Sequence, residues 1–385
     1  CSVIAERLGV PVLVIATREP PALDNASLAR QSDSYCGNLS ICSGLYRRKL
    51  PFYYGGLYFP EDEEFAEEVD IFSRAVAAIK ALKGARIGQV GVRPNTFETV
   101  AYDEVAMIEK FGMNVVPINV SDLSETFASL RDDDAEVQDK VSAIRGSVAE
   151  VTVADDYLIN AAKFELALTQ FWRQNGLSAM AVQCWAATRQ LYGLSVCSSY
   201  GRMTEQGMLT ACETDVLGAV AMLTQYAAAR GEVIPHFIDW TIQHREDPNR
   251  LLAWHCGNAP ACLAADPART ALRSRPNMTG ELEPKPGDLA AGLYQFQIKP
   301  GMVTFCRLQE YDGEWKMLIA TGEIVPSDED LAGTWSWVQV SDHAELYRTL
   351  VEEGFVHHAN MIHGDQVSVL LEVCRFLDIE PVLVE

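Results

Sequence analysis

The chain has 385 residues, too many for one ordinary domain and enough for two or three units with substantial cores. Its 31 basic residues stand against 53 acidic ones, a formal charge of −22 that repels phosphate backbones and anionic membranes and so argues against nucleic acid and membrane as partners. Ten cysteines without a CxxC pair, no apolar run of 18 or more residues, and an N-terminus without the basic-then-apolar form of a signal peptide read as a reduced, soluble, cytoplasmic chain.

The sequence opens at Cys1 inside what reads as a strand–helix unit, so an N-terminal portion is expected to precede it. PVLVIAT at 11–17 is a short run rich in β-branched residues, the pattern of a buried strand. EEFAEEVDIFSRAVAAIKALKG at 63–84 has the period of an amphipathic helix stopped by Gly84. Strand 86–92, helix 99–112 and strand 114–120 continue the alternation, followed by charged helical stretches near 122–149, a long helix near 155–174 and a strand at 178–184. This β-α-β rhythm predicts parallel, doubly wound sheet. After about residue 232, short alternating runs such as HFIDWTI, LYQFQI, MVTFCRL and WKMLIAT replace helices, with a hairpin signalled at Asp312–Gly313. The expected fold is α/β: two doubly wound, Rossmann-like units followed by an antiparallel, β-barrel-like C-terminal domain. Its expected boundaries are residues 1–84 for the remainder of an N-terminal α/β domain, 85–232 for a central α/β domain, and 233–385 for a β-rich domain with closing helices.

The residues able to carry chemistry sit in four segments: ACETDVLGAVAMLTQYAAA at 211–229, HFIDWT at 236–241, LLAWHCG at 251–257 and GFVHHANMIHGD at 354–365. Glu213 fits a capping box with Thr210 as N-cap, which is its structural reading; at the start of an apolar, buried helix it is also a rigid mount for a catalytic acid. Asp239 lies among bulky apolar residues of a strand, where a carboxylate needs a partner unless it faces solvent. His255 shares a strand face with Leu251 and Ala253 and reads equally as a hydrogen-bonded core residue. His357 and His358 are adjacent, so in extended backbone they point opposite ways and only one faces a given site; His363 reads as a cap or turn with Asp365. Two carboxylates with one or two imidazoles form a hard, mixed O/N set suited to Mn²⁺, or to Mg²⁺ or Co²⁺. GxGxxG and GxxxxGK[ST] are absent, so nothing points to a nucleotide.

The A-C-E-x-D-x-x-G-A segment, the F-x-D-W segment, the W-H-C-G strand, the paired R-L and E-W-K runs and the closing G-x-x-H-H before D-I-E occur in this order over most of the chain. In this it resembles the L-fucose isomerase and L-arabinose isomerase superfamily. The resemblance implies Glu213 and Asp239 as metal ligands that double as the acid/base pair, His358 as a further ligand with His357 as the alternate, and His255 as a ligand in one branch of the family. It also implies Gln183 and Trp185 as substrate-facing residues, with Arg18 or the segment 31–40 contributed by a neighbouring subunit of a homo-oligomer, a trimer or hexamer. The implied activity is divalent-metal-dependent aldose–ketose isomerisation of a free or modified sugar through an enediolate. An anionic sugar would need a basic pocket, for which Arg18, Arg47, Arg202 and Lys299 are the candidates. The alternatives are a non-catalytic sugar-binding or regulatory protein on the same scaffold, and a metal-dependent sugar lyase or aldolase.

Overall fold

A computed structural model describes residues 2–18, 33–185, 187–273 and 292–384. Helix Ser2–Leu8 leads into strand β1 (Leu13–Thr17), which pairs in parallel with β2 (Tyr53–Tyr58) across helix Ser34–Arg47. Helix Glu63–Leu82 follows, with Glu63 and Glu64 in its first turn and Lys80 in its last, each of the sign that its end of the helix dipole favours. Its buried stripe of Ala75, Ala78, Ile79 and Leu82 has the spacing of one helix face, and Gly84, at φ 69°, ends it. That helix packs on two others, Val216–Ala228 and Val367–Leu377.

The middle of the chain contributes β3 (Arg86–Val90), β4 (Asn114–Ile118), β5 (Glu150–Val151), β6 (Ala179–Val182) and β7 (Thr210–Cys212). Four of these form a parallel sheet in the order β4-β3-β6-β7, with helices Glu104–Phe111 and Asp155–Asn175 closed by Gly112 and Gly176 in the left-handed conformation. In place of two full doubly wound units, the described residues hold a two-stranded and a four-stranded parallel sheet.

The last part supplies β8 (His236–Gln243), β9 (Arg250–His255), β10 (Ala271–Arg273), β11 (Leu293–Gln297), β12 (Gly301–Tyr311), β13 (Glu314–Val325), β14 (Thr334–Gln339), β15 (His358–His363) and β16 (Glu380–Val384). β12 and β13 form the expected hairpin, closed by Asp312 and Gly313, both at positive φ. The purely antiparallel domain expected here is a ten-stranded mixed sheet, ordered β16-β13-β12-β15-β8-β9-β14-β11-β10-β5. β16 joins in parallel after a helix, β11 lies parallel to β14, and β5 enters from the middle segment; such non-local partners leave no mark in alternation. β13 also pairs with β14, so the pairings through β13, β12, β15, β8, β9 and β14 return on themselves.

Helix Val216–Ala228 ties these parts together. It is apolar on nearly every side and packs against helix Glu63–Leu82, β6, β12 and β15. Gln225 donates to the Thr304 carbonyl and Asn360 to that of Gly218, so its polar edges are bonded to the large sheet. Among the described residues no helix is long and apolar enough to cross a membrane.

Candidate functional site

Glu213 stands where the parallel sheet gives way to the central helix. The capping box expected from Thr210 and Glu213 is not formed: Thr210–Cys212 is strand β7, and the helix begins at Val216 with Asp215 as its N-cap, accepting from the Gly218 N–H at 2.8 Å. Tertiary pairing overrides the local pattern, because Thr210–Cys212 is fully buried and lies in register with Met180–Val182 of β6. The link between strand and helix is strained. Glu213 and Thr214 both have φ 59°, a left-handed conformation that costs a β-branched residue such as Thr on the order of 1–3 kcal/mol. The turn is held by Thr214 Oγ1 donating to the Val92 carbonyl at 3.2 Å and by the Asp215 N–H donating to Cys212 at 3.1 Å. Strain of this kind persists where the surroundings over-determine it, and it clusters at functional sites.

The second and third members come from regular strands. Asp239 on β8 and His358 on β15 are directly opposed in antiparallel register. His358 is fully buried; its Nε2 lies 2.9 Å from Glu213 Oε2 and 3.7 Å from Asp239 Oδ1. Its Nδ1 is 2.8 Å from Asp215 Oδ2. Burial disfavours the charged ring, but the hydrogen bonds to Asp215 and Glu213 outweigh it and push the His358 pKa up to about 9. Burial likewise raises Glu213, yet the hydrogen bond with His358 and the charge of His255 hold its carboxyl down at about 2. Asp215, buried beside the guanidinium of Arg307, is held well below the usual carboxylate range.

His255 approaches from β9, with Nε2 3.9 Å from Asp239 Oδ1. Its Nδ1 lies 2.9 Å from the Cys256 nitrogen and its Nε2 faces Asp239; burial disfavours the charged ring, but the Asp239 charge outweighs it and pushes the His255 pKa up to about 9. Asp239 Oδ1 and His255 Nε2 are both buried without a hydrogen-bond partner. The buried Asp239 Oδ1 lies 3.7 Å from His358 Nε2, which in turn lies 2.9 Å from Glu213 Oε2, while among the described residues the groups whose ligand atoms all come within 4.8 Å of one another are Glu213 with His357 and His358 and Glu213 with Cys184 and Cys212.

The two adjacent histidines do not diverge. β15 begins at His358, so strand alternation does not govern His357, and the two ring centroids are 4.0 Å apart. Ring nitrogens of both and a Glu213 carboxylate oxygen lie within 4.8 Å of one another. His357 is exposed, and Phe97 stands edge-on to it at 5.2 Å. His363 does not pair with Asp365; its Nε2–H donates to the Lys299 carbonyl at 2.9 Å.

Trp185 Nε1–H donates to Glu213 Oε1 at 3.3 Å. Gln183 engages backbone with both ends of its amide, accepting from the Val92 N–H and donating to the Trp185 carbonyl. Gln183, Trp185 and Thr214 line a cavity of about 810 Å³ together with Gln89, Arg93 and Tyr102, with Glu104 also on its wall. Arg18 does not line it: its Nε donates to the Leu57 carbonyl and its guanidinium lies 3.7 Å from Asp62. Residues 31 and 32 of the segment 31–40 lie outside the described residues, and 34–40 belong to helix Ser34–Arg47.

Sequence reasoning missed Asp215, Arg307, Phe97 and Arg93; Cys212, which is next to Glu213 in the chain and reads as a small buried filler, is buried, but that Cys184 joins it within 4.8 Å of the Glu213 carboxylate was missed. Arg307 left a signal: an arginine inside the apolar run MVTFCRL needs a buried partner.

Residues 2–83 match the sequence pattern of the family described as "Fucose/sulfoquinovose isomerase, N-terminal domain", and residues 253–384 that of "L-fucose isomerase, C-terminal domain". The chain is similar along nearly its whole length to proteins named sulfoquinovose isomerase. One from Alkalicoccus urumqiensis is 26% identical over 384 residues, covering 99% of this chain and 82% of that protein. One from Priestia megaterium is 25% identical over 382 residues, 98% and 80% of the two chains, and one from Clostridium sp. (strain MSTE9) is 25% identical over 389 residues, 98% and 82%.

Proposed function

Since the chain belongs to the fucose isomerase superfamily of aldose–ketose isomerases, we propose that Glu213, Asp239 and His358 hold one divalent cation and that sugar isomerisation takes place against it. The observation that carries this reading is the convergence of the Glu213 and Asp239 carboxylates on His358 Nε2, at 2.9 and 3.7 Å. A bound cation supplies a Lewis acid for neighbouring sugar oxygens. Glu213 and Asp239 then serve as the acid/base pair that moves the proton between C2 and C1, through an enediolate. Trp185 orients Glu213 through its indole N–H, and His255 Nε2 faces Asp239 Oδ1 from 3.9 Å, beyond hydrogen-bond reach.

Substrate occupies the cavity beside Trp185 and Thr214 in this proposal. Arg93 on its wall is exposed and, like several other cations of the chain, has no hydrogen bond or ion pair among the described residues. We assign it to an anionic substituent of the sugar, as the name of the sulfoquinovose isomerases suggests for those proteins. Arg202 cannot take that part, because it is buried in an ion pair with Glu165 at 2.5 Å. The proposal includes a homo-oligomer in which Arg18 of a neighbouring copy completes the cavity.

The test is aldose–ketose interconversion, followed by NMR over a panel of neutral and anionic sugars with chelator-stripped protein reloaded with Mn²⁺. Mn²⁺-dependent conversion of an anionic sugar that weakens at least tenfold in Arg93→Gln, with neutral sugars unaffected, supports the full reading. Carbon–carbon cleavage, or sugar binding without conversion, contradicts it.

A further inference from the structure

Asp215 makes more contacts than either of its evident structural roles requires. As the N-cap of the central helix it needs only the bond from the Gly218 N–H to Oδ1. As the partner of Arg307, itself fully buried, it takes a forked contact: Nη2 to Oδ1 at 3.2 Å and Nη1 to Oδ2. The remaining lone pair on Oδ2 faces His358 Nδ1 at 2.8 Å, so the four acceptor positions of the carboxylate are filled. Neither capping nor the pairing with Arg307 calls for that last contact. It falls on the one ring nitrogen that points away from Glu213 and Asp239.

We propose that Asp215 is a positioning residue for the cation site: it keeps the proton of His358 on Nδ1 and so presents the lone pair of Nε2 to the space between Glu213 and Asp239. An imidazole that bears its proton on one nitrogen coordinates through the other, and a carboxylate behind it fixes both tautomer and ring orientation. The forked contact with Arg307 keeps Asp215 from rotating, and Gln309 Oε1 in turn accepts from Arg307 Nε and Nη2 at 3.4 and 3.3 Å. The ring of Phe237, 4.6 Å from that of His358, and Phe97, at 6.1 Å, limit its rocking. Gly218 permits the arrangement, since a Cβ there would stand 2.6 Å from the Phe237 ring and 2.9 Å from the Asp215 carboxylate. The inference rests on the cation reading above, and the ion itself belongs to that reading.

The experiment has two readouts besides turnover. In full-length protein labelled with ¹⁵N-histidine and loaded with diamagnetic Zn²⁺, His358 is expected to show a protonated Nδ1 and an unprotonated Nε2. The opposite pattern in the wild type overturns the inference whatever any variant does. Mn²⁺ affinity, measured by electron paramagnetic resonance, is then expected to fall on the order of 10- to 100-fold in Asp215→Asn. That variant keeps an acceptor for the Gly218 N–H, and circular dichroism with thermal unfolding confirms its fold. Mn²⁺ affinity within twofold of wild type in a folded Asp215→Asn leaves Asp215 a cap and charge partner only, and overturns the inference. Wild-type protein that binds neither Zn²⁺ nor Mn²⁺ overturns the reading beneath it instead.

Discussion

The turn at Glu213–Asp215 and the strand pair β8–β15 deliver their side chains to one point by opposite means. Asp239 and His358 sit opposite each other in an unbroken antiparallel ladder, where register alone brings the two side chains together. Glu213 rides on two consecutive left-handed residues and is held by bonds from Thr214 and Asp215 to three different strand ends and loops. Regular structure places a group without backbone strain but only along its own lattice. A strained turn reaches a point that no strand position offers, at a free-energy cost that its neighbours must offset.

Changing the groups themselves gives the largest expected effect. Glu213→Gln and Asp239→Asn each remove a charge from the proposed cation site and one half of the acid/base pair. Turnover in either is expected to fall by about 10³-fold or more, read as the initial rate of sugar interconversion. A loss confined to one of the two would show that only one side of the comparison carries chemistry.

Arg307→Met tests the support under the turn. It leaves Asp215 as a buried carboxylate without its guanidinium, and removal of one partner of a buried ion pair costs about 3–5 kcal/mol. Urea unfolding at neutral pH reads this directly. Thr214→Val is milder: it keeps the shape but loses the hydroxyl bond to the Val92 carbonyl, about 1 kcal/mol of stability, with a larger proportional loss of turnover if the bond aligns Glu213.

The smallest effect belongs to the strand side. His236 on β8 is buried, and that burial, with the nearby His363 and His255 charges, holds its pKa down at about 3. The unfolded chain takes up this proton below roughly pH 6.5 and the folded chain does not. His236 therefore contributes nothing adverse above that pH and destabilises the fold progressively as pH falls toward 3. His236→Phe is expected to flatten the acid limb of a stability–pH curve without changing its neutral plateau.

Much of this was legible in the sequence where the signal is local. The helix at 63–84 announces itself by period and by Gly84, and the β12–β13 hairpin by Asp312–Gly313. Glu213 and Asp239 stand out as polar residues in apolar segments, the family resemblance adds His358 with His357 as alternate, and His358 Nε2 lies 2.9 Å from Glu213 and 3.7 Å from Asp239. What was not legible depends on partners distant in the chain. T-A-C-E reads as a helix cap until β6 claims it as a strand, and Asp215 escapes notice because its partners Arg307, 92 residues away, and His358 are distant in the chain. Parallel pairing of β16 with β13 and of β5 with β10 is invisible to alternation for the same reason.

The most direct test of the central claim is anomalous diffraction from crystals of this chain grown or soaked with Mn²⁺. The account predicts one strong peak within roughly 2.3 Å of a Glu213 oxygen, an Asp239 oxygen and His358 Nε2. A peak displaced to Cys184, Cys212 and Glu213, or no peak near Glu213 at all, would contradict it.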